Sequence, residues 1–361
     1  MADTSMNEKP RVLKRIIPFL VIGILVFVLY LFLFVDIPQM IQVIQSTDLL
    51  IYSVATLMLF IEAFLFTLSW RYLLLPLAVN VPLRRLLAYM WIGVFTDLLI
   101  PAESVSGEIV KVYLVSQEPD ANPGKVLASL VGQRMLGTVA TMVTLLIAFP
   151  ALIMLNYPLT ALILHVLLII AFASVIALVF LIIVCVREDW TERLVNKILR
   201  FFELVSRGRF KAIKFRSRVI KILKAFYGSL RTFASEPSKL LAPSFFFALT
   251  WLASIMVVFL VFVAIGYLQP SVPILFLEVA AVSTLLVAIK SIPLGVPAEV
   301  GLPDIAMAGL FTLFGIPLDV SAAATILTRI LTVWIRFLIG FIAIQWLGFK
   351  RLVESGVFGK T

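Results

Sequence analysis

Six apolar stretches, at 16–35, 49–70, 135–155, 161–186, 243–266 and 319–347, each approach the roughly 20 residues that cross a hydrocarbon layer as a helix. In lipid every backbone amide and carbonyl must be satisfied within the protein, so such a chain is left with helices. With 62% of its 361 residues hydrophobic and only 14% charged, it is expected to be an all-α polytopic membrane protein. The stretch 16–35 lacks the short apolar core and small-residue cleavage site of a signal peptide, and is read as a retained first span. A single cysteine, Cys185, leaves no disulfide within the chain and no thiolate cluster, so redox chemistry is not expected.

Two further hydrophobic regions, 86–118 and 273–316, are interrupted at their centres by proline, glycine and acids. The first carries "LLIPAESVSGEIVKVYL" at 98–114 and the second "GVPAEVGLPDIAMAGL" at 295–310. Pro101, Glu103 and Glu108 recur at identical spacing as Pro297, Glu299 and Asp304. The interruptions predict two re-entrant hairpins of half-helices, because broken backbone at membrane depth survives only where protein or a water-filled cavity covers it. The stretches flanking them match too. Segment 49–155 reads span, hairpin, span, and so does 243–347, with Glu108 and Arg134 separated by 26 residues and Asp304 and Arg329 by 25. The expected organisation is an N-terminal span and outer loop (1–48), a first repeat (49–155), a linking span with a basic segment (156–242), a second repeat (243–347) and a tail (348–361).

Lysine and arginine set the orientation. Lys9, Arg11, Lys14 and Arg15 precede the first stretch, and Arg71, Arg84 and Arg85 follow the second, whereas the loop 36–48 has no basic residue. Between Arg187 and Lys239 there are 14 Lys and Arg and five Asp and Glu, a local excess that accounts for nearly all of the formal +10. Both termini and this segment are therefore expected in the cytoplasm, in a multi-pass protein of the plasma membrane. The two repeats then have opposite topology, as in transporters with a midplane site between inverted halves.

The residue types suggest what such a site holds. Each hairpin's second half-helix starts just after a turn, with Ser106 and Gly107 before Glu108 in one and Pro303 suited to the first helical position in the other. Free amides there would favour an anion such as a phosphate. Lys111, Arg134 and Arg329 would add positive charge, while Glu103, Glu108, Glu299 and Asp304 either pair with these bases or carry a coupling proton or cation. Charges at membrane depth are functional by default, although some only hold helices together. Glu62, Asp97, Glu278 and Lys290 are secondary candidates without a partner at the repeat spacing, and His165 reads as a packed histidine. No cofactor or metal is expected.

The basic segment 187–240 contains two apolar faces, Leu194, Ile198, Phe201, Phe202 and Val205, and then Val219, Leu223, Phe226 and Leu230. Helices carrying them would lie on the anionic inner leaflet, or the segment would be a solvated loop that enforces orientation. Nucleic acid is not expected as a partner.

At "PAESVSGEIVKVYLV" and "IPLGVPAEVGLPDIAMAGLFTLFGIPLDVSAAATILTRILTVWIRFLIG" the chain resembles the lysylphosphatidylglycerol synthase membrane-domain family of flippase-like proteins. The family pattern maps onto Pro101, Gly107, Glu108 and Lys111, and onto Pro297, Gly301, Asp304, Arg329 and Gly340. Ala298 and Glu299 replace its glycine pair, Asp304 its glutamate, and Gln133 the acid of a Glu-Arg pair. The resemblance implies movement of polar or polyprenyl-linked lipids between leaflets. In the multiple peptide resistance factor a similar membrane half is joined to an aminoacyl transferase domain, and nothing like that domain is expected in the 14 residues after Leu347. Two rivals remain, an enzyme whose acids hold Mg²⁺ at a lipid phosphate, and a non-catalytic partner of a glycosyltransferase or synthase. For the topology, a cysteine at Gly315 is expected to react with an impermeant thiol reagent in intact cells, and reaction only after permeabilisation would contradict the assigned sidedness.

Overall fold

A computed structural model describes residues 37–100, 105–158, 160–188, 212–290 and 301–354, together with Thr191, Arg193 and Lys197. The expected span 16–35, the helical face around Phe201, and the links 101–104 and 291–300, which hold Pro101, Glu103, Pro297 and Glu299, lie outside the described residues. Every described element is helical: α1 (Ile37–Gln45), α2 (Leu49–Leu74), α3 (Leu83–Leu99), α4 (Val105–Val115), α5 (Pro123–Met154), α6 (Ala161–Val186), α7 (Ala212–Ser235), α8 (Leu241–Ala264), α9 (Val272–Lys290), α10 (Leu302–Leu313), α11 (Leu318–Arg329) and α12 (Arg336–Glu354). A π-helical turn, Ile330–Ile335, joins the last two. Among the described residues six helices are long and apolar enough to cross a membrane, Leu49–Leu77, Pro123–Met154, Ile163–Val186, Pro237–Ala264, Val272–Ile289 and Leu318–Leu347.

Three boundaries differ from the sequence-based expectation. Helix α9 is continuous over 19 residues, about 28 Å, so the first arm of the second interrupted region is not a half-helix in length. Glu278 sits inside this helix without breaking it, and Lys290 is its last residue. Helix α5 begins at Pro123, capped by the Asn122 side chain accepting from the Gly124 N–H at 2.8 Å, so Arg134 lies well inside a continuous helix. The expected outer loop 36–48 contains α1, whose Ile37, Met40, Val43 and Ile44 pack on Ala322 and Ala323 of α11.

The centre of the molecule is the antiparallel pair α2 and α8. Asp48 N–H donates to the Ala264 carbonyl at one end (2.7 Å), and Ser69 Oγ donates to the Pro243 carbonyl at the other (2.9 Å). Around this pair the contacts occur in matched sets. Helix α3 packs on α4 and α12, and α9 packs on α10 and α5; likewise α4 lies on α5, and α10 on α11. Each interrupted region is thus covered by the last long helix of the other half, which supplies the protein cover that broken backbone requires.

Both interrupted regions fold back on themselves, and they open at opposite ends of α2. Tyr89 and Arg85, early in α3, both bond Glu118 beyond α4, at 2.6 and 2.8 Å, beside the end of α2 where Trp70 Nε1 donates to Ser129 Oγ. In the second region Tyr157, near Glu278 early in α9, bonds the Phe314 carbonyl beyond α10. That mouth lies at the other end, with Asp48 and Ala264.

The apolar face of α7 does not lie free for a membrane surface. Phe226 and Tyr227, with Leu223 and Leu230 beside them, pack on Ala128 and Val131 of α5, because α7 runs so close that a Cβ on Gly124 would meet the Ile222 carbonyl oxygen at 2.2 Å. Lys221 and Lys224 occupy its exposed side. Gly340 performs a similar service where α12 crosses α3, since a Cβ there would stand 2.7 Å from the Trp91 carbonyl oxygen and 2.5 Å from Phe95 Cβ. Gly340→Ala is accordingly expected to destabilise the protein by about 1–3 kcal/mol through overpacking. Gly309→Ala, at a helical site with nothing within 4 Å, is expected to be neutral or stabilising; thermal unfolding in detergent separates the two.

Candidate functional site

The half-helix starts are where sequence and structure can be compared residue by residue. Asp97, near the end of α3, accepts from Ser106 Oγ (2.8 Å) and from the Gly107 N–H (2.6 Å) at the start of α4. Gly107 is required there, because a Cβ would fall 2.3 Å from the Gly93 carbonyl oxygen and 2.2 Å from Asp97 Oδ2. In the second half the acid comes from the helix itself. Asp304 Oδ2 accepts from the Gly301 N–H at 2.7 Å, and Gly301, with φ of 103°, occupies a backbone conformation that few other residues adopt. Pro303 takes the second helical position, where no N–H is needed.

At each helix start one amide that the sequence left free is bonded to a carboxylate. The Gly107 and Gly301 amides are each bonded to a carboxylate of the chain, because an unbonded amide at membrane depth costs several kcal/mol. They also give Asp97 a partner that the repeat spacing did not reveal. It acts across the break, ten residues away, whereas Asp304 acts three residues away within one helix.

Each repeated acid meets its repeated arginine. Arg329 Nε lies 2.6 Å from Asp304 Oδ1, with side-chain exposures of 11% and 3%; Arg134 lies 3.1 Å from Glu108 with exposures of 47% and 30%. The matched pair is buried in one half and partly exposed in the other. Lys111 lies one turn beyond Glu108, is 7% exposed, and its stem runs across Gly93, where a Cβ would meet Lys111 Cε at 2.4 Å. Its Nζ stands 5.7 Å over the Phe66 ring. The equivalent residue in the second half, Met307, is apolar.

A family model described as the lysylphosphatidylglycerol synthase TM region matches residues 20–340. The chain belongs to that family. It is 24% identical to a UPF0104 membrane protein of Pyrococcus horikoshii over 335 residues, 90% of this chain and 95% of that relative. It is 26% identical to a UPF0104 membrane protein of Methanothermobacter thermautotrophicus over 304 residues, 84% of this chain and 87% of that relative. No solved structure matches the chain.

Within this family framework the secondary candidates separate. Glu62, in the middle of α2, pairs with Arg336 at 2.5 Å and so ties the first half to the last helix. Arg336 escaped the sequence reading, although an arginine within "LTVWIRFLIG" was a visible signal. It lies seven residues after Arg329, a spacing that shares a face in a regular helix; the intervening π turn rotates that face, so the two arginines reach different acids. Gln133, in place of an acid, is buried and donates to the Phe66 carbonyl at 3.1 Å, which ties α5 to α2. His165 is exposed, with Nδ1 2.6 Å from the Ala161 carbonyl oxygen. Glu278 is buried beside Tyr157 and Tyr267, apart from the other charged groups.

Breaking the buried pair should cost far more than breaking the partly exposed one. Asp304→Asn is expected to destabilise by about 3–5 kcal/mol because it strands a buried guanidinium, and Glu108→Gln by no more than about 1 kcal/mol. Unfolding midpoints of the two variants, with Asp304→Asn/Arg329→Gln expected to recover part of the loss, check this contrast.

Proposed function

We propose that this protein is a lipid translocase that moves a phosphate-bearing polar lipid, or a polyprenyl-linked glycolipid, between the leaflets of the plasma membrane without covalent chemistry. Both interrupted regions are re-entrant in this proposal, with the termini in the cytoplasm. The single observation that carries it is the unequal pair of ion pairs at matched positions, Glu108–Arg134 partly exposed beside Lys111 and Asp304–Arg329 buried. A lipid phosphate displaces Glu108 from Arg134 and gains Lys111 as a second cation, because a phosphate offers more acceptor oxygens to a guanidinium than a carboxylate does. Opening at one end and closure at the other, exchanged between two halves of opposite direction, is how alternating access works. The exposed Lys221 and Lys224 of the basic segment attract anionic inner-leaflet lipid at about 1 kcal/mol per charge.

The test is transfer of a fluorescent phosphate-bearing lipid between leaflets of reconstituted vesicles. Glu108→Gln and Arg134→Gln are expected to slow transfer at least about tenfold, equivalent to about 1.4 kcal/mol, with the lipid recovered chemically unchanged. Wild-type rates in both variants would remove the site from the proposal. A metal-dependent covalent product would favour an enzyme instead.

A further inference from the structure

The mouths of the two interrupted regions are clasped by the same kind of pair, a carboxylate and a tyrosine, but they differ in charge balance. At the first mouth Tyr89 donates to Glu118, and Arg85 neutralises it at 2.8 Å. At the second mouth Glu278 is 1% exposed within an apolar cluster that includes Leu275, Val279 and Phe314. The Tyr157 hydroxyl stands beside its carboxyl group, and Oε2 has no hydrogen-bond partner among the described residues.

Among the described residues no base is available to it. Positions 36–70, 135–186, 240–289 and 300–328 contain no lysine or arginine, so the described residues at the end of the molecule around Glu278 include no lysine or arginine. The elements packed on α9 contribute few ionisable groups. The part of α5 beyond Arg134 and the whole of α8 carry none; α6 carries the exposed His165, bonded to its own turn, and Cys185 at its far end. Helix α10 carries only Asp304, committed to Gly301 and Arg329 at the opposite end. The remaining neighbours are Tyr157 and Tyr267, in the loops after α5 and α8, whose phenols are held above their ordinary range by burial and then by Glu278, and so remain donors. Asp48 and Asp319, at the same end, are acids. A carboxylate buried in hydrocarbon without a protein cation needs a counter-charge from solution.

Tyr157 makes that counter-charge matter to the backbone. Its hydroxyl donates to the carbonyl of Phe314, the residue that closes α10 and leads into the left-handed Gly315 (φ 83°). A phenol has one proton to donate, and here it has two acceptors. We propose that Glu278 is a proton-binding site that controls the clasp at the second mouth. As the neutral acid, Glu278 donates its O–H to Tyr157, leaving the Tyr157 proton for Phe314. When the proton leaves to water, the Tyr157 O–H turns to the carboxylate and the 314–316 turn is released. The clasp is therefore present at low pH and lost as pH rises. The contrast with Glu118 marks the site, since a carboxylate fixed by arginine has no such choice.

Amide hydrogen exchange of the full-length protein in lipid nanodiscs, corrected for intrinsic rates, tests this without relying on lipid transfer. In wild type, protection of the amides at 314–316 is expected to fall with rising pH, approaching tenfold per pH unit once Glu278 titrates. Glu278→Gln should remain protected at every pH, and Tyr157→Phe should be unprotected at every pH. Protection in wild type that ignores pH, or pH dependence retained in Glu278→Gln, overturns the proposal. So does protection that follows sodium concentration at fixed pH. Should Glu278→Gln not fold, infrared difference spectra of wild type decide: a protonated carboxylic acid band that disappears at high pH and shifts in Tyr157→Phe is expected, and its absence overturns the assignment.

Discussion

Polar backbone inside a hydrocarbon layer must find its partner within the protein, and in this chain that requirement is met at two places where helices end and restart. Helix α3 stops at Leu99 and α4 starts at Val105; α9 stops at Lys290 and α10 starts at Leu302. One amide at each helix start is bonded by Asp97 or Asp304, and each interrupted region is covered by a long helix from the other half. Without that exchange of cover the breaks would face lipid, which backbone does not tolerate. The crossings need close approach, and glycine provides it at Gly93, Gly107 and Gly340.

Charge follows from the same constraint. Ionised side chains at this depth are retained in pairs, Asp304 with Arg329, Glu108 with Arg134, and Glu62 with Arg336. The pairs are unequal in exposure although they hold matched positions. A symmetrical backbone plan therefore carries an asymmetric set of sites, with Lys111 on one side and Met307 on the other. Glu278 stands outside this scheme as a carboxyl group whose end of the molecule contains no base among the described residues.

Helical class, the membrane location and the interrupted regions were legible in residue order, because apolar run length and proline spacing are local properties. The duplicated Pro-Ala-Glu spacing also pointed to the acids and arginines that pair in the structure. What misled was chain-local reasoning about length. Proline, glycine and acids at the centre of 273–316 suggested that its pieces were too short to span, yet α9 runs unbroken over 19 residues. The face of Leu223, Phe226 and Leu230 suggested a membrane surface, yet α5 covers it, and amphipathic periodicity is the same for either partner.

By itself the sequence determined that this protein is a bundle of membrane helices with two repeated breaks and a basic segment between its halves. Those features depend on composition and spacing along the chain. Only the tertiary structure decided which acid serves which donor. Asp97 reaches Gly107 across a break, Glu62 reaches Arg336 over 274 residues, and a π turn sends two arginines seven residues apart to different partners. Such pairings depend on helix rotation and crossing, which are set by the packing of distant side chains.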